Sequence, residues 1–224
     1  MPPLRVTPAM TEHSDVLPSA EAVLKARDVT LIDDAGAKRD FGDTLDELHR
    51  LQAKRVLAIF IRHFFCGNCQ DYIRAVSEAF ANPETDLSPN VRVFIVGIGA
   101  HTLIDHYRRV TACPFPIYTE PTGELVKIFA MKRNLTIGKN PPTFSDRTSF
   151  SLFWSGFTQA LSRIWKGDAH KSGNPAQNGG EILFDFDDLP EGYGALTMHP
   201  VWYHMMKTTR DHASIECLRD VLAL

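Results

Sequence analysis

The sequence is short of cysteine, has no long hydrophobic run and carries no strong excess of either charge. Each shortage excludes something. Four cysteines in 224 residues are too few to staple a disulfide scaffold, so a reducing setting, the cytoplasm, is expected. No apolar stretch reaches the roughly 20 residues that a membrane helix needs, and Arg62 interrupts the best candidate, which runs from Val56 to Ile61. The opening MPPLRVTPAMTEHSD lacks the apolar segment of a secretory signal. A formal net charge of -3 gives no electrostatic reason to expect a nucleic acid or an anionic membrane as partner. There are no internal repeats and no low-complexity tract. No second CxxC and no HxxxH pair is present, so zinc would find at most His63, Cys66 and Cys69, short of four ligands. No metal or other cofactor is expected.

What is present is an ordinary globular composition, 44% hydrophobic and 23% charged, long enough for one sizeable core. The chain is organised around RVLAIFIRHFFCGNCQDYIRAVSEAF, Arg55 to Phe80. Val56 to Ile61 is a branched apolar run that reads as a buried strand. Beyond it Cys69, Tyr72, Ile73, Val76 and Phe80 form the stripe of an amphipathic helix. Cys66-Gly67-Asn68-Cys69 therefore sits where a strand ends and a helix begins. Gly67 and Asn68 suit the turn, and Asn68 is a candidate to cap orphan helix N–H groups. A thiol at a helix N-terminus is biased toward thiolate. Two such thiols make a reversible dithiol/disulfide couple.

Residues 1–26 read as a mobile tail rich in Pro, Thr and Ser, with one or two helical turns at Ala20 to Ala26. A hairpin turning at Asp34-Ala35-Gly36 follows, then a short helix through Leu51 capped by Asp43 or Thr44. VRVFIVGI, Val91 to Ile98, is a second buried strand. Leu103 to Val110 reads as a helix, Ile117 to Thr119 as a strand, and Glu124 to Met131 as another helix. This alternation predicts a sheet flanked by helices. Residues 132–178 break the pattern as an insertion, with aromatic residues from Phe150 to Trp165 at helical spacing. That helix could serve as an apolar lid over the cysteines, with Phe153 and Trp154 facing substrate, as a dimer contact, or as ordinary packing, so a homodimer stays open. EILFDF, Glu181 to Phe186, is a strand, and the end from about Pro200 reads as helical, most clearly from Asp211.

Cys66, at the helix entrance and nearer solvent, is the expected attacking thiol, and Cys69, one turn inside, resolves what forms on it. His63 and Arg62 could lower the thiol pKa if strand alternation points them at it. Cys113 and Cys217 read as isolated structural cysteines. His101, His106, His199, His204 and His212 are scattered and read as solvated or packing residues. A pair of inert buried thiols remains the plainer alternative.

With these residues in view, the chain resembles the peroxiredoxin-like 2 family, its fungal-type members in particular. That family lies within the alkyl hydroperoxide reductase and thiol-specific antioxidant (AhpC/TSA) group of the thioredoxin-like superfamily. The resemblance covers about residues 27 to 222 and rests on FFCGNCQDY, VFIVGIG, CPFPIYTEPTGELVKIFAM, GGEILFDF and HMMKTTRDH, in that order. It implies an α/β, thioredoxin-like (peroxiredoxin-like) fold over residues 27–224: a central mixed sheet flanked by helices, with a helical insertion before the last core strand. It implies Cys66 as nucleophile and Cys69 as its partner. Gly179 and Gly180 would stand in the loop where many thioredoxin-like proteins place a cis-proline facing the cysteines. Ile59 and His63 occupy the proline and threonine positions of the Pro-x-x-x-Thr-x-x-Cys motif of ordinary peroxiredoxins.

The expected activity is that of a thiol oxidoreductase acting on a peroxide, an organic endoperoxide or a disulfide, with an external thiol reductant, the thioredoxin or glutathione system, as partner. Endoperoxides enter because one branch of the family reduces prostaglandin endoperoxides. The expected substrate contacts are His63, Gly67, Asn68, Gly179, Gly180, Phe153 and Trp154. Two other readings stay open: a non-catalytic binding module with a redox-sensitive CxxC, and a small-molecule tailoring enzyme whose aromatic pocket does the binding.

Overall fold

The computed structural model describes residues 14–138, 174–186 and 198–222. Helix α1, Ala20–Arg27, opens with Ser19, whose hydroxyl accepts from the Ala22 N–H at 3.2 Å. The hairpin β1, Thr30–Ile32, and β2, Lys38–Asp40, leads directly into α2, Phe41–Arg50. Strand β3, Arg55–Phe60, and helix α3, Gly67–Ala79, form the central unit. After the single turn α4, Pro83–Asp86, come β4, Val91–Gly97, a 3₁₀ turn at His101–Leu103, α5, Ile104–Thr111, β5, Ile117–Thr119, and α6, Glu124–Ile128. Strands β6, Gly180–Asp185, and β7, His199–Met205, and helix α7, Ile215–Leu222, complete the described elements.

The strands form a seven-stranded mixed sheet in the order β2-β1-β5-β4-β3-β6-β7. β3, β4 and β5 run parallel, while β6 lies antiparallel beside β3 and β7 antiparallel beside β6. Every residue of β3 is buried because both faces are covered, which is why its sequence reads as an unbroken apolar run. Leu57 and Ile59 face a core shared with α3, α5 and α7. Val56, Ala58 and Phe60 face a second core shared with α1, α2 and α6. In that second core Phe41 meets the rings of Phe60, Phe94, Phe129 and Phe184 at 6.0 to 6.2 Å between centroids. Each such buried ring contributes about 1.5–3 kcal/mol, so Phe41 ties three strands and α6 to the start of α2.

Four expectations are corrected. The segment 14–26, placed in a mobile tail, is anchored. The Asp15 N–H donates to the Tyr203 carbonyl at 2.6 Å, and the Asp15 carboxylate accepts from the Met205 N–H at 2.9 Å. It thereby covers the otherwise open edge of β7, a common device against edge pairing. Residues 199–205, read as the start of a helix, are strand β7, so EILFDF is not the last strand of the sheet. Alternating exposure had no clean signal there because Trp202 and Tyr203 are both buried. Helix α2 starts at Phe41 rather than at a cap on Asp43 or Thr44. The helix expected over Glu124 to Met131 closes at Ile128, and Ala130 takes a positive φ of 55° just beyond it.

The aromatic helix expected from Ser149 to Trp165, with Phe153 and Trp154, lies outside the described residues. Its two approaches are held together. Arg133 bridges Gln177, the Asn134 N–H donates to the Ala176 carbonyl at 2.8 Å, and the Asn178 N–H donates to the Lys132 carbonyl at 3.0 Å. Among the described residues no helix is long and apolar enough to cross a membrane.

Candidate active site

Strand β3 ends at Phe60, and six residues later the chain enters α3 with Cys66 as its N-cap. The cap is unusual in chemistry. The Cys66 sulfur, rather than a hydroxyl or carboxylate, accepts from the Cys69 N–H at 3.4 Å. Asn68, the expected cap, instead donates its side-chain N–H to the Thr209 carbonyl at 3.4 Å, fastening the segment after β7 to the CxxC turn. Both sulfurs are free thiols. Cys66 is 4% exposed and Cys69 0%. The order agrees with Cys69 lying deeper, but Cys66 is buried rather than open to solvent: Phe64, itself 2% exposed, belongs to the same apolar cluster.

Arg62 is turned toward the sulfur. One of its terminal nitrogens donates to Cys66 Sγ at 3.3 Å, Nε donates to the Gln177 carbonyl at 3.2 Å, and the other terminal nitrogen donates to the Pro175 carbonyl. At 6% exposure the guanidinium is desolvated, which strengthens its pull on a thiolate. The Cys66 thiol is accordingly held below its ordinary value, at about 6, by the hydrogen bond from the Cys69 thiol first, against the cost of burial, and then by the charge of Arg62. Cys69 is pushed the other way by burial and by donating to Cys66. The pair is thus split into one sulfur biased toward thiolate and one biased toward thiol, as two identical residues can be only when their surroundings differ.

His63 does not share this role. Burial first, and then the charge of Arg62, press its pKa from 6.5 to about 4, so it is neutral at physiological pH and adds no positive charge beside the thiol. Burial holds both Cys113 and Cys217 up at about 11, well away from thiolate chemistry. Gly179 and Gly180 are required by the sheet. A Cβ on Gly179 would lie 1.8 Å from the Phe60 carbonyl oxygen, and one on Gly180 would lie 2.5 Å from the His204 oxygen. No cis peptide bond occurs among the described residues.

One cluster went unread in the sequence. Glu181 is fully buried, and its two carboxylate oxygens meet His212 Nδ1 at 2.7 Å and His204 Nδ1 at 2.8 Å. His212, expected to be solvated or simply packed, stacks on Tyr72 of α3 with ring centroids 4.1 Å apart and planes 11° apart. The signal was available in GGEILFDF: alternation places Glu181 on the same face as Leu183, which points into the core below α3. A carboxylate on that face needs partners. Gln177 was missed as well. It donates to the carbonyls of Met131, Lys132 and Asn178 and accepts from Arg133, so it fixes the loop that Arg62 grips.

Comparisons with known proteins agree with this fold. The profile of the family described as AhpC/TSA antioxidant enzyme matches residues 79–190, half of the chain, beginning just after the cysteine pair. The human protein named Peroxiredoxin-like 2C is 27% identical over 184 residues, covering 80% of this chain and 73% of its own. The mouse protein of the same name is 27% identical over 181 residues, covering 78% and 71%. Among solved structures, Peroxidoxin BcpB from Mycobacterium tuberculosis superposes with a TM-score of 0.50 over 87% of this chain and 88% of its own, at 12% identity. At that identity the likeness speaks for the fold alone, and the fold is peroxiredoxin-like, a variant of the thioredoxin architecture.

Proposed function

Because the chain belongs to the AhpC/TSA antioxidant enzyme family, a family of thiol oxidoreductases, we propose that it reduces a small hydroperoxide at Cys66 and closes a disulfide to Cys69. The observation that carries this reading is the contact of Arg62 with the Cys66 sulfur at 3.3 Å, both residues being buried. A desolvated guanidinium beside the sulfur favours thiolate and is placed to meet the negative charge that develops on a departing oxygen.

The thiolate attacks one peroxide oxygen, the O–O bond breaks, and the other oxygen leaves as alkoxide or hydroxide and takes a proton from water. Cys66 is left as a sulfenic acid. The Cys69 sulfur then attacks Cys66 and displaces hydroxide, which with the Cys69 proton becomes water. An external dithiol reduces the resulting disulfide and is itself oxidised.

The burial of Cys66, 4% exposed, favours a small oxidant over a folded protein disulfide, which would need the sulfur at the surface. Cys69 lies three residues along the helix, one turn from Cys66, within reach of an intramolecular disulfide. His63 in place of a threonine removes a hydroxyl donor from the peroxide site, so the burden of polarising the O–O bond falls on Arg62 and backbone N–H groups. Residues 27–224 act as one domain in this reading, with Gly67 and Asn68 shaping the turn.

The test is a pulse of hydrogen peroxide on the reduced protein, quenched with a thiol-alkylating reagent and read by intact mass. The reading expects loss of two thiols in wild type, a Cys66 sulfenic acid trapped by dimedone in Cys69→Ser, and no reaction in Cys66→Ser. Unchanged thiol loss in Cys66→Ser overturns it.

A further inference from the structure

Arginine carries a rigid planar fork on a flexible stem, so the direction of the fork is decided by what its nitrogens meet. For Arg62 those partners are few. Nε donates to the Gln177 carbonyl at 3.2 Å, one terminal nitrogen to the Pro175 carbonyl, and the other to the Cys66 sulfur at 3.3 Å. Two contacts on one short loop thus set the direction of the third. A tilt of the Gln177 carbonyl would carry the fork away from the sulfur.

The side chain of Gln177 opposes that tilt. It is 2% exposed. Its Nε2 carries two N–H groups, and three carbonyl oxygens stand around them, of Asn178 at 2.9 Å, Lys132 at 3.1 Å and Met131 at 3.3 Å. Its Oε1 accepts from Arg133 Nε at 3.0 Å. The amide has one acceptable orientation, since a flip would set its oxygen against three oxygens and its nitrogen against a donor. The peptide unit that offers its carbonyl to Arg62 points its N–H, that of Asn178, at the Lys132 oxygen, 3.0 Å away. Gln177 Nε2 holds this same Lys132 oxygen and also the Asn178 carbonyl beyond. The side chain therefore brackets its own peptide unit from both ends.

We propose that Gln177 is a positioning residue for the reaction: its side chain locks the peptide unit whose carbonyl aims the Arg62 guanidinium at the Cys66 sulfur. Arg133 serves the same end one step further out, by holding the amide oxygen. The proposal rests on the role assigned above to Arg62 beside Cys66. Gln177 bonds to the guanidinium and acts on the sulfur only through it. The loop does not depend on this side chain alone for its attachment. The Asn134 N–H donates to the Ala176 carbonyl at 2.8 Å, and the Asn178 bond to Lys132 is main chain as well, so both persist when Gln177 is replaced. What is lost is the restraint on tilt, and with it the short range at which the charge of Arg62 meets the sulfur.

The experiment follows alkylation of Cys66 by iodoacetamide, read by mass on the Cys66 peptide, at about pH 5 and about pH 8, on either side of the thiol's value of about 6. The faster rate, with the thiol ionised, reports access to the sulfur, and the ratio of the slower to the faster reports stabilisation of the thiolate. In Gln177→Leu this ratio is expected to fall roughly fivefold, the scale of one hydrogen bond. In Arg133→Ala, at an exposed position, it should fall roughly twofold. A defect that merely opens or closes the site moves both rates together and leaves the ratio alone. In an Arg62→Ala background Gln177→Leu should change the ratio no further, because no fork is left to aim. If Gln177→Leu fails to fold by circular dichroism, Arg133→Ala, alone and combined with Arg62→Ala, carries the same comparison. A wild-type ratio in the variants, or an equal fall with Arg62 already absent, overturns the assignment. A lowered ratio in the variants, with wild-type Cys66 inert toward hydrogen peroxide, would uphold the positioning role and overturn the peroxidase reading instead.

Discussion

The Arg62 guanidinium touches the Cys66 sulfur at 3.3 Å while gripping the carbonyls of Pro175 and Gln177 with its remaining nitrogens. One side chain thus does two jobs, stabilising the thiolate and fixing the loop that leads into β6. The carbonyl contacts orient the guanidinium, so its geometry toward the sulfur is set by the loop rather than by the flexible arginine stem.

Arg62→Ala should therefore raise the thiol pKa and loosen the loop together. Alkylation of Cys66 by iodoacetamide at about pH 5, below the thiol's value of about 6, should slow by roughly tenfold, the change that follows when about 1.4 kcal/mol of thiolate stabilisation is lost. Arg62→Lys keeps a charge but cannot reach three acceptors in one plane, so it should recover only part of the rate. An unchanged pH profile of alkylation in Arg62→Ala would show that the thiolate owes its stability to the helix end and Cys69 alone.

Gly179→Ala should be among the most damaging single changes in the chain. The added carbon would sit 1.8 Å from the Phe60 oxygen and 2.8 Å from its carbonyl carbon, both of them backbone atoms that cannot rotate away. β6 would have to separate from β3 beside the cysteine turn. The expected loss is about 3 kcal/mol or more, read as a shifted urea midpoint.

At the far end of the same strand pair, Arg55 Nε meets Asp185 Oδ2 at 2.9 Å, with Arg55 fully buried. Asp185→Ala leaves a desolvated cation and should cost about 3–5 kcal/mol. Replacing both residues by apolar ones, Arg55→Met with Asp185→Leu, should recover part of that loss, since neither buried charge then remains. Chemical denaturation of the single and double variants measures both outcomes.

His63 makes stability depend on pH in a stated window. Its folded pKa is depressed to about 4 from 6.5. Between those values the unfolded chain binds a proton that the folded chain refuses. Stability is therefore complete above about 6.5 and falls as pH drops toward 4, by at most on the order of 3 kcal/mol. Glu181, depressed to about 2 from 4.5, loses its contribution only at lower pH, as its own carboxylate protonates. His106, lowered from 6.5 by burial and then by Arg109, acts with the same sign in this interval, so urea unfolding of His63→Gln between 6.5 and 4.5 should give a flatter line than wild type, though not a level one.

The central β-α-β unit was legible because burial on both faces of β3 and β4 leaves an apolar run, and because α3 carries a regular stripe from Cys69 to Val76. The relative depth of the two thiols also followed from position, since a helix N-terminus and one turn inside it are different environments. Strand β7 was not legible. The edge it forms is covered by Ser14 and Asp15, contacts made 189 and 190 residues away along the chain. Nor could local pattern show that His204 and His212 share one carboxylate, because that sharing depends on the β6–β7 register, which sets Glu181 opposite His204. Arg62 was within reach of the sequence as a neighbour of Cys66. Its orientation required the loop at Pro175 to Gln177, more than 110 residues downstream.

The pairing of Arg133 with Gln177 has an evolutionary reading. It draws together two points 44 residues apart, so the excursion between them leaves and rejoins the body at one spot. Lengthening or shortening such a closed span changes its closure entropy by only about 0.6 kcal/mol per doubling. Gln177 lies on the anchored side and passes its position on to Arg62 through its own carbonyl. Descendants of this chain are thus free to change the length of the span between these two points while the contact of Arg62 with the Cys66 sulfur keeps its geometry.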